Sequence, residues 1–156
     1  MILGIGHIGI STADTQRLVR FYVDLLGGEV VGEIDWNPGT KVDKVIGIPN
    51  SAAHGTLVRL PGNAFIEIFE YRAPLGKPKP QDYPVSDLGI PYFSLLVDDI
   101  AAEYARLKAA GVPFTTEPQD FVSAKCTYCR DPDGNIIELI EQAKGAATMM
   151  DGVVIS

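Results

Sequence analysis

The spacing of apolar residues switches between two periods along this chain. Ile5 to Thr12 reads I-G-H-I-G-I-S-T, short and rich in β-branched residues, which predicts a buried strand. Asp14 offers an N-cap. Apolar residues at Leu18, Val19, Phe21, Tyr22, Leu25 and Leu26 then predict an amphipathic helix over 15–26, closed by Gly27-Gly28. Strands are predicted at 29–36, 55–60 and 64–71, the last two joined by the turn Pro61-Gly62-Asn63. Between them, 37–51 is broken by Pro38, Gly39, Gly47 and Pro49 and predicts a loop with a short helical turn.

Pro74, Pro78, Pro80 and Pro84 break the segment, so 73–88 reads as an extended, semi-rigid linker between a first module at 1–72 and a second at 89–142. The second module repeats the pattern. A strand is predicted at 91–97, a helix capped by Asp98-Asp99 up to Ala110, and strands at 112–117, 122–130 and 135–141. Asp131-Pro132-Asp133-Gly134 makes the last turn. The tail, 143–156, ends in an apolar Val153-Val154-Ile155 whose placement the pattern leaves open.

The halves align with each other. His7 to Asp14 matches Tyr92 to Asp99 at a step of 85 residues, and Phe65-Ile66-Glu67-Ile68 matches Ile136-Ile137-Glu138-Leu139 at a step of 71. The chain is therefore expected to be α+β, built from two β-α-β-β-β modules. One helix covers only one face of each module's sheet. The other faces are expected to curve round a shared cleft, with His7, Glu67, Tyr92 and Glu138 at matching positions.

Charge and cysteine usage narrow the function. With 13 Lys and Arg against 20 Asp and Glu, the net charge is −7, so nucleic acid and anionic membranes are not expected as partners. No apolar run reaches the ~18–20 residues of a membrane span. Met1-Ile2-Leu3-Gly4 lacks the pattern of a signal peptide, so a cytoplasmic protein is expected. Cys126 and Cys129 form a single C-x-x-C. A four-cysteine zinc site needs a second pair, and three residues apart in a strand the two thiols point to opposite faces.

His7-Ile8-Gly9-Ile10, Arg20-Phe21-Tyr22, Leu25-Leu26-Gly27, Val97-Asp98-Asp99-Ile100 and above all Asp131-Pro132-Asp133-Gly134-Asn135-Ile136-Ile137-Glu138-Leu139 closely resemble the vicinal-oxygen-chelate superfamily. That superfamily includes glyoxalase I, methylmalonyl-CoA epimerase, fosfomycin-resistance enzymes, extradiol dioxygenases and bleomycin-resistance proteins. The resemblance runs from Ile5 to Gln142, the linker excepted, and implies paired modules cupped round a divalent metal. Carried over residue by residue, it assigns the ligand positions to His7, Glu67, Tyr92 and Glu138, with His7, Glu67 and Glu138 as the metal ligands. Tyr92 departs from the pattern, where His or Gln is usual. A phenol must lose a proton, with a reference pKa of about 10, to become a good ligand. It is therefore read as facing the cleft, without ligating the metal at rest.

Each assignment has a plainer competitor. A lone strand histidine is usually a satisfied core residue. Glu67 sits between Ile66 and Ile68, and its face also carries Phe65 and Phe69, which argues against an open solvent face. Periodicity does not decide between Glu138 and Glu141; the resemblance selects Glu138. His54, Arg59, Tyr71, Arg72, Trp36 and Tyr128 are further pocket candidates. Of these His54, read as lying before a strand, is the one that would serve as a general base near neutral pH.

The resemblance implies a metal-dependent lyase, isomerase or epimerase of the glyoxalase type. It would act on a small substrate with vicinal oxygens through a metal-stabilised enediolate, with Glu67 or Glu138 as the base and Tyr92 assisting. One His and two Glu suit Zn, Mn, Ni, Co or Fe without choosing among them. The alternative is a metal-free binder of a drug or metabolite of the bleomycin-resistance type, with Trp36, Phe65, Phe69 and Tyr92 as an aromatic pocket. A ring-cleaving dioxygenase ranks lower, because Tyr92 supplies no imidazole for a 2-His-1-carboxylate site. The resemblance also implies a small-molecule partner and a homodimer, although a 156-residue chain can form one cup by itself.

Overall fold

The computed structural model describes residues 1–144. The chain divides into two units, Met1–Pro78 and Lys79–Ser156. In the first, β1 (Ile8–Thr12) leads into α1 (Thr15–Arg20), which continues as one π-helical turn over Phe21–Leu25. Then come β2 (Glu29–Trp36), α2 (Lys41–Ile46), β3 (Ala52–Arg59) and β4 (Phe65–Ala73). The second unit has β5 (Tyr92–Leu96), α3 (Ile100–Ala109), β6 (Gln119–Asp120), β7 (Ala124–Arg130) and β8 (Ile136–Gln142). The sheets have the orders β1-β4-β3-β2 and β5-β8-β7-β6. In each, the first and last strands run parallel at the edge and the rest pair antiparallel. The expected β-α-β-β-β repeat is present in both units.

Alternation along the strands separates a covered face from an open one. In the first unit Ile66, Ile68 and Val58 are fully buried on one face, and Leu18 and Tyr22 are fully buried beside them. In the second, Ile137, Leu139 and Cys129 are buried on the equivalent face, with Ile100 and Leu107 of α3. Fully burying one such aliphatic side chain is worth roughly 1.5–3 kcal/mol, so these two small cores hold each sheet to its helix.

The cap of each helix reaches across to the last strand. Asp14 and Asp99 accept, through Oδ1, the backbone N–H of Arg17 and Ala102, each at 2.9 Å. The N–H of Thr15 donates to Glu70 Oε2 at 2.9 Å, and that of Ile100 donates to Glu141 Oε2 at 2.8 Å. These residues obey the same steps of 85 and 71 that relate the halves of the sequence. A carboxylate at the first turn satisfies an orphan donor and sits at the positive end of the helix dipole.

Two expectations are corrected. The predicted strand at 112–117 does not form; a two-residue β6 at Gln119–Asp120 takes the edge. Pro113 and Pro118 lack the N–H a continuous ladder needs. The segment pairs with β7 only piecemeal: Phe114 bridges Cys129, and Thr115 N–H donates to Tyr128 at 2.9 Å. His54 lies inside β3, which starts earlier than predicted, at Ala52. Residues 145–156, including Val153-Val154-Ile155, lie outside the described residues.

The proline-rich segment is pinned to the second unit's final turn. Tyr83 is buried; Arg130 donates to its carbonyl at 2.6 Å and to that of Gly134 at 2.7 Å. Gly134 has φ +83° and passes so close to Gln81 that an added Cβ would lie 2.5 Å from its carbonyl oxygen. Only glycine fits both constraints.

The glutamates on the two faces should differ in stability cost. Glu141→Ala is expected to destabilise the protein by about 1–2 kcal/mol through the lost helix cap. Glu138→Gln, on the open face, should cost under about 0.5 kcal/mol. Urea unfolding of both variants checks this, and equal costs would refute the division of roles.

Candidate functional site

The open face of the first unit is built from β1, β4, β3 and β2. Register places Gly9 beside Glu67, Glu67 beside Leu57, and Phe69 beside Gly55. His7, just before β1, brings Nε2 to 3.1 Å from Glu67 Oε2; their side chains are 52% and 25% exposed. Glu67 is thus partly shielded without being sealed, which leaves room for a ligand to approach.

An aromatic floor continues that face. Trp36 packs edge-on to Phe69 at 5.5 Å and to Tyr71 at 5.7 Å. Gly55 makes this possible, since a Cβ there would lie 2.8 Å from the Phe69 ring. Trp36 is held from behind. Its Nε1–H donates to Ser51 Oγ at 2.9 Å, and the Ser51 hydroxyl donates to Asp43. Asp43 also accepts from the N–H groups of Gly39, Asn50 and Ser51. The Ser51 hydroxyl, followed by these backbone donors, holds the Asp43 carboxyl below its usual range. One carboxylate therefore organises the 37–51 loop and fixes Trp36.

The open face of the second unit gathers a different set. Glu138 pairs across the sheet with Ser94 on one side and Tyr128 on the other. Tyr92 meets Tyr128 edge-on, with ring centroids 5.1 Å apart. Cys126, two residues before Tyr128 in β7, turns to the same face as Glu138. Burial first, then the neighbouring Tyr92 phenol and the Glu138 charge, push the Tyr128 phenol well above its usual value, so it stays protonated.

His7 and Glu67 are thus brought together within the first unit, and Tyr92 and Glu138 each stand beside Tyr128 in the second. Among the described residues, no group of three or more His, Cys, Asp or Glu side chains is gathered as a metal cluster. Glu70 and Glu141 are on the covered faces, where each accepts a backbone N–H at a helix start. His54 is also on the covered side. It pairs with Glu70 across the sheet, and its Nδ1 lies 3.0 Å from Asp35 and its Nε2 3.2 Å from Thr56. It lines a cleft of ≈ 330 Å3 with Thr15, Val19, Glu33, Thr56 and Glu70, on the opposite side of the sheet from Glu67.

Tyr128 and Cys126 share the open face with Glu138. Their signal was the final hairpin: once the Asp131–Gly134 turn pairs Arg130 with Ile136, alternation sets Tyr128 opposite Glu138 and turns Cys126 to the same face.

Residues 4–139 match the family model of the glyoxalase/bleomycin resistance protein/dioxygenase superfamily. The chain belongs to that superfamily. It is 29% identical over 139 residues to the uncharacterised Escherichia coli protein YaeR, covering 87% of this chain and 94% of YaeR. It is 23% identical to a probable chloroplastic lactoylglutathione lyase of Arabidopsis thaliana, covering 87% of this chain and 35% of that protein. A Bacillus cereus glyoxalase family protein has a similar fold, with TM-score 0.80 and 22% identity over 91% of this chain and 95% of that one. Members of this superfamily often use a divalent metal, bind small molecules and form dimers. No helix among the described residues is long and apolar enough to cross a membrane.

The two thiols should be slow to react in the folded state. Burial leads in raising both, with the Cys126 thiol further raised by Glu138 and the Cys129 thiol pushed up to about 12. A raised thiol pKa leaves little thiolate at pH 7–8. Labelling with iodoacetamide at pH 7.5 should be slow for both, slowest for buried Cys129, and should become fast for both in urea. Rapid labelling of Cys129 in the folded protein would contradict this packing.

Proposed function

We propose that this protein is a metal-dependent lyase, isomerase or epimerase of the glyoxalase type, acting on a small molecule with neighbouring oxygens. The observation that carries the reading is the His7–Glu67 pair. A nitrogen and an oxygen bound at about 2.1 Å to one ion lie about 3.0–3.4 Å apart at octahedral or tetrahedral angles. His7 Nε2 and Glu67 Oε2 are 3.1 Å apart, a separation within that range. Glu138, half-buried at the repeat-equivalent position, is the proposed third ligand.

A bound divalent cation supplies Lewis acidity, polarising neighbouring oxygens and making an adjacent C–H easier to deprotonate. The chain's own residues would do the rest. Glu67 or Glu138 takes the proton, since each offers a second carboxylate oxygen and stands on an open face. Tyr92 donates a hydrogen bond to a substrate oxygen. Trp36, Phe69 and Tyr71 give the substrate an apolar wall and keep water from part of the first unit's face. Tyr92 in place of an imidazole argues against ring cleavage at a 2-His-1-carboxylate iron.

The test is metal content. Protein dialysed against Zn2+, Mn2+, Ni2+ or Co2+ should retain one equivalent of at least one ion. His7→Ala, Glu67→Gln and Glu138→Gln should each weaken binding by at least about tenfold, the scale on which even outer partners of metal ligands act. Tyr92→Phe should keep the metal. Equal retention by wild type and all three ligand variants would overturn the assignment. Failure of wild type to hold any ion would favour the metal-free binding module.

A further inference from the structure

The covered faces of the two units treat their capping glutamates differently. In the second unit Lys125 stands opposite Glu141 in the sheet, and its Nζ lies 3.7 Å from Glu141 Oε1. In the first, register puts His54 at the same place, opposite Glu70. His54 spends both ring nitrogens elsewhere, with Nδ1 3.0 Å from Asp35 Oδ2 and Nε2 3.2 Å from Thr56 Oγ1. Arg72 is likewise held by Asp35, Nη1 lying 2.8 Å from Oδ1. Position 15 differs too. Its repeat partner, Ile100, buries an apolar side chain that is 1% exposed. Thr15, 7% exposed, puts a hydroxyl there, and among the described residues nothing partners its Oγ1.

Thr15, His54, Thr56 and Glu70 line the cleft of ≈ 330 Å3 on the face away from Glu67. The free positions on its walls are mostly lone pairs. A neutral imidazole whose Nδ1–H donates to Asp35 accepts at Nε2, so Thr56 donates its O–H to His54 and keeps lone pairs for the cleft. Glu70 Oε2 accepts from Thr15 N–H, and the carboxylate retains further lone pairs. Glu33, opposite Thr56 in β2, adds an exposed second carboxylate. Among the described residues that line the cleft there is no Lys or Arg, and Val19 and Val30 give it an apolar strip. β2 and β4 are two strand spacings apart, about 10 Å, so Glu33 and Glu70 stand on strands that flank the cleft instead of meeting on one ion.

We propose that this cleft is a second binding site, for a short aliphatic diamine. One ammonium takes the place beside Glu70 that the Lys125 ammonium holds beside Glu141. The alkyl chain lies along Val19 and Val30, and the other ammonium pairs with Glu33. An ammonium has three N–H donors, which matches acceptors on Glu70, Thr15 and Thr56. An anion would meet two carboxylates and no cation, and a neutral diol would leave their charges unmatched. The site is on the opposite side of the sheet from Glu67, so it stands or falls separately from the proposed metal chemistry.

Titration of 15N-labelled protein at pH 7.5 with butane-1,4-diamine tests this, with butane-1,4-diol, succinate and CaCl2 as parallel probes. The diamine should give saturable amide shifts centred on Thr15, Gln16, Thr56 and Glu70. The diol should bind at least about fourfold more weakly, for two partly exposed ion pairs lost. Succinate and Ca2+ should give no saturable shift at these amides. Glu33→Gln should weaken diamine binding about twofold to fivefold, and Thr15→Val about twofold to tenfold, the size of one ion pair and one hydrogen bond. Glu117→Gln removes the same charge from an exposed position in the second unit and should leave binding unchanged. The amide spectra also verify folding of each variant. His54→Lys gives the first unit the ammonium that the second already carries, and should abolish diamine binding even if Thr15→Val does not fold. Absence of a saturable shift, or equal binding of the diol, succinate or Ca2+ at the same amides, would overturn the proposal. So would equal weakening by Glu33→Gln and Glu117→Gln, or full binding by His54→Lys.

Discussion

A strand whose side chains alternate cannot place glutamates three residues apart on the same side of its sheet. Glu67 and Glu70 in β4, and Glu138 and Glu141 in β8, are two copies of that constraint. In each strand one carboxylate reaches under the helix and accepts the N–H of its first residue, at 2.9 Å for Glu70 and 2.8 Å for Glu141. The other is thereby committed to the open face. The cap does more than stabilise a helix end. It locks the phase of the closing strand against the helix, and a slip of one residue would bury Glu67 or Glu138 in the apolar core. The proposed chemistry on the open face depends on that phase.

Much of this was legible in the sequence because it is written in local periodicity. The repeat step, the helix caps at Asp14 and Asp99 and the Asp131–Gly134 turn all concern residues close in the chain, where spacing translates directly into geometry. The opposite faces of Cys126 and Cys129 followed from the same rule. What was not legible lay across strands. The choice between Glu138 and Glu141 needed the helix above the sheet. The place of His54 needed the true start of β3, because a histidine before a strand and one on its covered face look alike in sequence. The strand predicted at 112–117 failed for a reason that was visible, Pro113 and Pro118, which offer no N–H to a ladder.

The loop of the first unit shows how an irregular segment can serve an ordered face. Between Asn37 and Ser51 there is one short helix and little core. Asp43 compensates by accepting three backbone N–H groups and one hydroxyl. The hydroxyl belongs to Ser51, which is fully buried and also accepts from Trp36. A chain of polar contacts thus runs from a surface carboxylate to the aromatic wall beside Glu67. Polar networks of this kind are costly when half-satisfied and rigid when complete, and here the indole N–H, the Ser51 hydroxyl and the Asp43 carboxylate all have partners. Among the described residues the second unit has no counterpart of this loop, so the repeat diverges here.

Tyr92 is where this chain departs most from its superfamily's pattern, and the structure gives the departure a physical setting. An imidazole offers a neutral nitrogen lone pair to a cation at neutral pH, whereas a phenol must first be deprotonated. Where His or Gln stands in relatives, Tyr92 stands beside a second phenol rather than beside a base that would take its proton. Tyr128 is itself held protonated by burial and by the Glu138 charge, so it cannot serve as that base. A phenol that keeps its proton serves a ligand as a hydrogen-bond donor, a role an imidazole at the same place would share with metal binding.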